Sequence, residues 1–93
     1  MAKYYFGWTS KEAIDCGTEK AWCCTYSGGY TTANDSTVYI PRSIMRVDEP
    51  NEYGNVRVFI PVWFFKKNLM AYYKIREIDW GENGVSPLVE LDG

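Results

Sequence analysis

The chain of 93 residues contains no histidine. Histidine is the side chain that most often acts as a general base near neutral pH, and it is the commonest metal ligand. Without it, neither Cys23 nor Cys24 has the base that ordinarily activates a thiol for nucleophilic attack. The carboxylates that stand close together in sequence lie in one polar turn, at Asp48, Glu49 and Glu52, and in one extended segment, at Glu77 and Asp79. We therefore expect no catalytic residues, no metal site and no cofactor, and we interpret the protein as one that is not an enzyme.

Cysteines are few and odd in number, and long apolar runs are absent. The three cysteines, Cys16, Cys23 and Cys24, do not match the even count of a disulfide framework and favour a reducing compartment. No window approaches the ~20 apolar residues that a membrane span requires. Residues 1–8 lack the apolar core of an export signal. We expect a cytoplasmic protein with no membrane partner and no disulfide that folding requires.

The chain also lacks a basic excess. Ten Lys and Arg residues stand against twelve Asp and Glu residues, which gives a net charge of −2. Proteins that bind the phosphates of a duplex normally carry an excess of bases, so duplex DNA or RNA is disfavoured. Two partners stay open: single-stranded nucleic acid stacked on aromatic rings beside a local basic groove, and a basic groove on a protein.

Aromatic residues are what the chain has in abundance. Four Trp, eight Tyr and four Phe make up 17% of the residues. Each of these side chains can bury about 150–250 Å², and together they exceed what the core of one small domain can hold. Several are therefore expected on the surface, where Tyr and Trp are typical of a binding face. The alternative is that tyrosines only decorate a small β protein. The length predicts a single domain over residues 1–93.

One short pattern occurs twice. Tyr39-Ile40-Pro41 returns twenty residues later as Phe59-Ile60-Pro61, and residues with high β propensity precede each copy. Proline has no N–H to donate to a sheet, so each copy marks the end of a strand. The pattern predicts two strands whose isoleucines lie in the core and whose prolines stand where the chain leaves the sheet.

The first third of the chain predicts three short elements. Tyr4–Phe6 is an aromatic run typical of a strand, which Gly7 would end. Thr9 followed by Glu12 three residues later matches a capping box and predicts a helical turn. Ala21–Tyr26 is rich in strand formers, and the small polar residues after it indicate a long hairpin loop.

The second half predicts a strand and a short helix. Over residues 56–62 apolar side chains alternate, with Arg57 on the opposite face, which is the pattern of a strand buried on one side. Pro61 can begin a helix because its missing N–H has no partner there in any case. Its apolar stripe consists of Val62, Phe65 and Leu69.

The C-terminal third is ambiguous. The β propensity of residues 70–79 favours a strand, with a helix as the alternative. Residues 85–93 form either a last edge strand or a loose tail. These elements predict a mainly β fold, with α+β as the alternative, of the SH3-like or OB-like kind: a small, partly open barrel with one short helix after Pro61.

The arrangement of motifs resembles a set of small, uncharacterised proteins of tailed phages and prophages. The motifs are residues 19–22 (Glu-Lys-Ala-Trp), residues 38–43 (Val-Tyr-Ile-Pro-Arg-Ser) and residues 60–64 (Ile-Pro-Val-Trp-Phe). The resemblance covers residues 19–68, and an additional aromatic and charged segment follows Asn68 in this chain. It implies an origin in a phage or mobile element, and thus a location in the host cytoplasm, but no common activity.

Candidate binding residues fall into two groups. For a protein partner they are Tyr26, Tyr30, Asp48, Glu49, Glu52, Tyr53 and Tyr72. For single-stranded nucleic acid they are Tyr39, Arg42, Arg57 and Phe59, which would form an aromatic and basic platform if the two repeated strands paired side by side. The alternative places both aromatics in the core and pairs the arginines with Asp48 or Glu49.

The function expected from these observations is binding without catalysis. The expected partner is a host or phage protein, and by analogy the role is inhibition of a host defence effector such as a CRISPR complex. The alternatives are a single-stranded nucleic-acid-binding protein of phage replication or recombination, and a minor virion or assembly component. The oligomeric state is not predicted.

Overall fold

The computed structural model describes residues 2–27, 35–81 and 88–91. Their fold is mainly β, with two short helices, as the sequence predicts. Two 3-10 turns lie at Arg42–Ile44 and Tyr72–Lys74. The strands are β1 (Ala2–Ser10), β2 (Ala21–Tyr26), β3 (Ser36–Pro41), β4 (Arg46–Val47), β5 (Asn55–Pro61) and β6 (Leu88–Leu91), and the helices are α1 (Lys11–Ile14) and α2 (Val62–Lys67).

The strands form two sheets. The larger has the order β4-β5-β1-β6, and the smaller is the pair β2-β3; neighbours in both are antiparallel. Two single bridges connect them through one segment of the chain: Ile75 pairs with Tyr26 of β2, and Asp79 pairs with Trp8 of β1. We call residues 75–79 the bridging segment. Because it contacts both sheets, the arrangement is consistent with the predicted partly open barrel.

The twice-occurring pattern ends two strands, as predicted. Ile40 and Ile60 have no exposed surface, and Pro41 and Pro61 are each the last residue of a strand that a helical turn follows. The short helix after Pro61 is likewise confirmed. The two strands do not pair, however, because β3 is joined to β2 while β5 lies between β4 and β1. Both edges of β5 are therefore occupied, and the platform that depended on side-by-side pairing does not form.

The prediction that Gly7 ends the first strand is wrong. β1 continues through Gly7 to Ser10. A Cβ at this position would lie 2.5 Å from Cγ2 of Ile78 and 2.7 Å from the carbonyl oxygen of Asp79. The glycine thus allows the bridging segment to lie against β1, which is the use of glycine where two backbones approach closely.

The helix cap is one residue later than predicted. The hydroxyl of Ser10 accepts a 3.0 Å hydrogen bond from the Ala13 N–H, so Ser10 is the N-cap of α1. Thr9 is buried in β1, and its Oγ1 has no hydrogen-bond partner. Alternation along the longer strand turns Thr9 inward and Ser10 outward, which leaves Ser10 free to cap the helix.

The predicted strand at residues 70–79 is also wrong. The segment contains the second 3-10 turn and then only the two single bridges. α2 ends at Lys67, and Leu69 has a positive φ of 54° with 93% of its side chain exposed, so the predicted apolar stripe does not extend to Leu69. Tyr72 then stacks on Tyr5 at 4.1 Å between ring centroids. Aromatic packing against the core outweighs the local β propensity here.

The core lies between the two sheets and α2. Its fully buried members include Trp22 and Cys24, which share the inward face of β2, and the alternating residues of β5. The Trp22 indole N–H donates a 2.8 Å hydrogen bond to the carbonyl of Ala13 and so fixes α1 on this core. At the C-terminal end, residues 88–91 form an edge strand on β1, while the rest of 85–93 lies outside the described residues. No helix in the described part of the chain has the length and apolar character to cross a membrane.

Candidate binding surfaces

The loop over residues 48–54, between β4 and β5, has a fixed backbone. We call it the β4–β5 loop. The side-chain oxygen of Asn51 accepts hydrogen bonds from the backbone N–H groups of Tyr53 and Asn55, both at 2.9 Å. The Asn51 N–H donates to the carbonyl of Asn55 at 2.8 Å, and Gly54 supplies a φ of +78°. An asparagine side chain that replaces backbone partners in this way stabilises a tight turn.

Four of the predicted partner-binding residues meet on this loop. Tyr53 is 78% exposed, the largest value for an aromatic side chain among the described residues, and Glu49 and Glu52 are exposed beside it. At the base of the loop, Oδ2 of Asp48 lies 3.5 Å from Nε of Arg57. Such an exposed ion pair contributes about 0–1 kcal/mol. Arg57 therefore pairs with Asp48, as the alternative interpretation of the arginines predicts, but Arg42 pairs with neither Asp48 nor Glu49 among the described contacts.

The other predicted partner-binding residues lie elsewhere. The Tyr26 hydroxyl accepts a 3.1 Å hydrogen bond from the Ala71 N–H, and Lys74 Nζ lies 6.0 Å from the Tyr26 ring centroid. Tyr72 is half-buried between Tyr5 and its neighbouring rings. Both tyrosines therefore pack the C-terminal part of the chain onto the core. Tyr30 lies outside the described residues.

Of the four predicted nucleic-acid residues, the structure brings together Arg57 and Phe59, whereas Tyr39 and Arg42 lie elsewhere. Arg42 donates to the carbonyls of Ile14, Thr18 and Cys16 at 2.8, 2.8 and 3.1 Å. Its guanidinium thus holds the chain after α1. Tyr39 is exposed on β3, in the smaller sheet, whereas Phe59 is buried on β5, in the larger sheet.

A different aromatic and basic surface exists on the larger sheet, on the side away from the core. We call it the outer face. Its rows follow the register: Trp8 is opposite Arg57, and Phe6 is opposite Phe59, which in turn is opposite Arg46. Tyr4, in the same alternation, lies 5.5 Å from the Arg46 guanidinium.

Arginines cover the rings of this outer face. The Arg57 guanidinium carbon is 5.3 Å from the Trp8 ring centroid and 5.9 Å from that of Phe59. Tyr4 and Phe59 are buried, whereas Trp8 is 39% exposed. Each exposed cation–π contact stabilises by about 0.5–1 kcal/mol. Sequence reasoning missed this surface, although the period-two row Tyr4, Phe6 and Trp8 would have indicated it once the strand was extended beyond Gly7.

Outside these surfaces, the Cys24 thiol and the Glu77 carboxylate are both engaged in the fold. Burial raises the pKa of the Cys24 thiol far above its ordinary value, and the negative charge of Glu77 adds to the effect. The Glu77 carboxylate itself accepts a 2.7 Å hydrogen bond from the Thr25 N–H and so substitutes for a strand partner of β2. Across the described ranges, no three His, Cys, Asp or Glu side chains lie close enough together to hold a metal ion, and no pocket was found.

Comparison with protein-family models, with curated proteins and with solved structures found no match for this chain.

Proposed function

We propose that this protein is a non-enzymatic binding protein that attaches to a partner protein through the β4–β5 loop. The observation that carries the proposal is the Tyr53 ring, 78% exposed at a turn whose backbone Asn51 holds in place. Tyrosine is one of the side chains that contribute most to binding at protein interfaces. A loop that is already ordered loses little conformational entropy on binding, so more of the contact energy is retained.

The charge of the loop suggests the chemistry of the partner. Glu49 and Glu52 are exposed and form no ion pair with the described residues, whereas Asp48 pairs with Arg57. Two unpaired carboxylates beside an exposed ring are complementary to a groove that is lined by Lys or Arg and contains an apolar recess. Complementary charge of this kind speeds association and favours the correct partner.

The resemblance to phage and prophage proteins supports a host protein complex as this partner. Inhibition of a host defence effector is the form of activity that we propose, and it is an analogy at the level of protein class. A protein inhibitor needs no catalytic group, because occupying the groove is sufficient.

Affinity capture from a host extract, followed by titration of the purified partner, tests the proposal. Tyr53→Ala should raise the dissociation constant about 30-fold or more, as expected for an interface residue that contributes about 2 kcal/mol to the free energy of binding. The paired change Glu49→Lys and Glu52→Lys should weaken binding further at low salt. Tyr73→Ala is the matched control, because Tyr73 is 65% exposed but lies on the second 3-10 turn. A partner that binds the Tyr53 variant as tightly as the native protein would contradict the proposal.

Single-stranded nucleic acid is a second candidate, and the outer face favours it. Trp8 offers a partly exposed ring beside Arg57, the combination on which single strands stack. Binding of a fluorescent oligonucleotide, measured at two salt concentrations, checks this candidate. Micromolar affinity that falls steeply with salt, and that Trp8→Ala or Arg57→Ala weakens, would rank nucleic acid above a protein partner.

A further inference from the structure

Cys16 and Cys23 lie directly opposite each other. The antiparallel bridge between Gly17 and Trp22 sets the register, and the next pair along it is Cys16 with Cys23. The Cys23 N–H donates a 3.1 Å hydrogen bond to the Cys16 carbonyl, whereas the Cys16 N–H donates to the Ala13 carbonyl, so the pair makes one of the two hydrogen bonds of a hydrogen-bonded ladder position. Such pairs have Cα atoms about 5.5 Å apart with both side chains on the same face. Disulfides span Cα separations of about 4.4–6.8 Å, so this pair is within reach of a bond.

The backbone around the first cysteine is held in position. Arg42 Nη2 donates to the Cys16 carbonyl, and its other guanidinium nitrogens hold the carbonyls on either side, at Ile14 and Thr18. Gly17 follows with a φ of +114°, and a Cβ there would lie 2.8 Å from the backbone nitrogen of Cys23. The close approach of the two segments thus depends on this glycine.

The two thiols differ in access. Cys16 is exposed and Cys23 is half-buried, whereas Cys24, the next residue along β2, is buried and points to the other face. Burial raises the pKa of the Cys23 thiol, and its contact with the Cys16 thiol adds to the effect. Cys16 is therefore the thiol that an oxidant in solution meets first, and Cys23 is placed to react second.

We propose that Cys16 and Cys23 form a redox site, a dithiol that a small-molecule disulfide such as oxidised glutathione closes into an intramolecular disulfide. The Cys16 thiolate attacks one sulfur of oxidised glutathione, which breaks its S–S bond and releases one glutathione thiolate. Cys23 then loses its proton and attacks the Cys16 sulfur of the mixed disulfide, which releases the second glutathione. Two protein thiols are oxidised, one glutathione disulfide is reduced to two thiols, and no other reactant is needed.

This site goes beyond the proposed binding function and does not depend on it. The bond would join the segment after α1 to β2, both of which lie outside the β4–β5 loop. It would be optional for folding, because the register that places the two cysteines together already exists with both of them reduced.

The test is incubation of the folded, reduced chain in glutathione buffers of rising oxidised fraction, followed by acid quenching, alkylation and mass spectrometry. We expect the number of free thiols to fall from three to one, with the loss of two hydrogens and no retained glutathione. Peptide mapping should join Cys16 to Cys23 and find Cys24 alkylated only after unfolding. The equilibrium constant for disulfide formation with glutathione should be at least about tenfold larger in the folded chain than in the urea-unfolded chain. The reason is that holding two thiols at reacting distance raises their effective concentration.

Three variants make the result specific. Cys24→Ala should close to the same extent as the native chain, and Cys16→Ser should not close at all. Cys23→Ser should stop at the mixed disulfide and retain one glutathione on Cys16, a product that also shows that this variant has an accessible Cys16. A stable glutathione adduct on the native chain, a bond that includes Cys24, an absence of reaction, or closure no more favourable than in the unfolded chain would each overturn the proposal.

Discussion

Arg42 Nη1 donates a 2.8 Å hydrogen bond to the carbonyl of Ile14, the last residue of α1. The two residues are 28 positions apart in the chain, and the contact fastens the end of the helix to the turn that follows β3. A helix leaves its last carbonyls without partners inside the helix, and a cation near that end also interacts favourably with the helix dipole. Arg42 therefore acts in the fold, where the sequence had suggested nucleic-acid binding.

Replacing Arg42 by alanine should lower the free energy of unfolding by about 2–3 kcal/mol, since hydrogen bonds from a charged group contribute about 1.5–3 kcal/mol. Urea denaturation of the reduced protein measures it. Arg57→Ala is the control, because Arg57 makes only an exposed ion pair and cation–π contacts, and it should cost about 1 kcal/mol or less. Equal losses for the two variants would contradict this division of roles.

Truncating either isoleucine of the repeated pattern should be costly. Ile40 and Ile60 are both fully buried, so Ile40→Ala and Ile60→Ala should each lower the free energy of unfolding by about 2–5 kcal/mol. Val47→Ala serves as control because Val47 is 44% exposed, so the loss of stability should be far smaller. If either isoleucine variant proved as stable as the control, its placement in the core would be wrong.

Gly7 and Gly54 should respond differently to alanine. At Gly7 a new Cβ meets the backbone oxygen of Asp79, which cannot move aside as a side-chain end can, so Gly7→Ala should cost about 1–3 kcal/mol. At Gly54 nothing lies within 4 Å, and the penalty is the strain of a positive φ, about 1 kcal/mol. Thermal unfolding of both variants compares the two costs, and hydrogen exchange at Trp8 and Asp79 should speed up in Gly7→Ala alone.

Stability should fall in alkaline solution because of Cys24. Its pKa is raised in the folded state, so above the ordinary thiol pKa of about 8.5 the unfolded chain loses a proton that the folded chain keeps. Protons then favour the folded state, and the free energy of unfolding declines by up to about 1.4 kcal/mol per pH unit as the pH rises. Urea titrations in reductant between pH 7.5 and pH 10 should show a shallower decline for Cys24→Ala, although that variant starts from a lower stability. An unchanged slope would mean that Cys24 does not titrate differently in the two states.

The parts of the fold that depend on local chemistry could be predicted from sequence. Pro41 and Pro61 lack an N–H, so they mark strand ends wherever the strands lie. The pairing of strands could not be predicted in the same way. β4 consists of Arg46 and Val47 alone, which is too short for a pattern, yet it occupies the edge of β5.

The candidate binding residues also divide into those that sequence could group and those whose contacts it could not predict. Asp48, Glu49, Glu52 and Tyr53 are neighbours in sequence, so composition was enough to group them. Residues 70–79 have the composition of a strand but find a strand partner only at two points, because the Tyr72 ring packs against Tyr5. The acceptors of Arg42 lie 24–28 residues away, a separation at which no sequence pattern indicates a contact.

The β4–β5 loop leaves and re-enters the sheet on neighbouring strands. Val47 pairs with Val58, and the Asp48 N–H still donates to the Arg57 carbonyl at 3.0 Å. Its ends are therefore fixed by the sheet, while the exposed side chains at its tip are not part of the core. Substitutions of those exposed side chains should therefore cost little in folding stability. If the loop binds the proposed partner, a lineage whose partner changes can diversify at this loop while the two sheets beneath it stay constant.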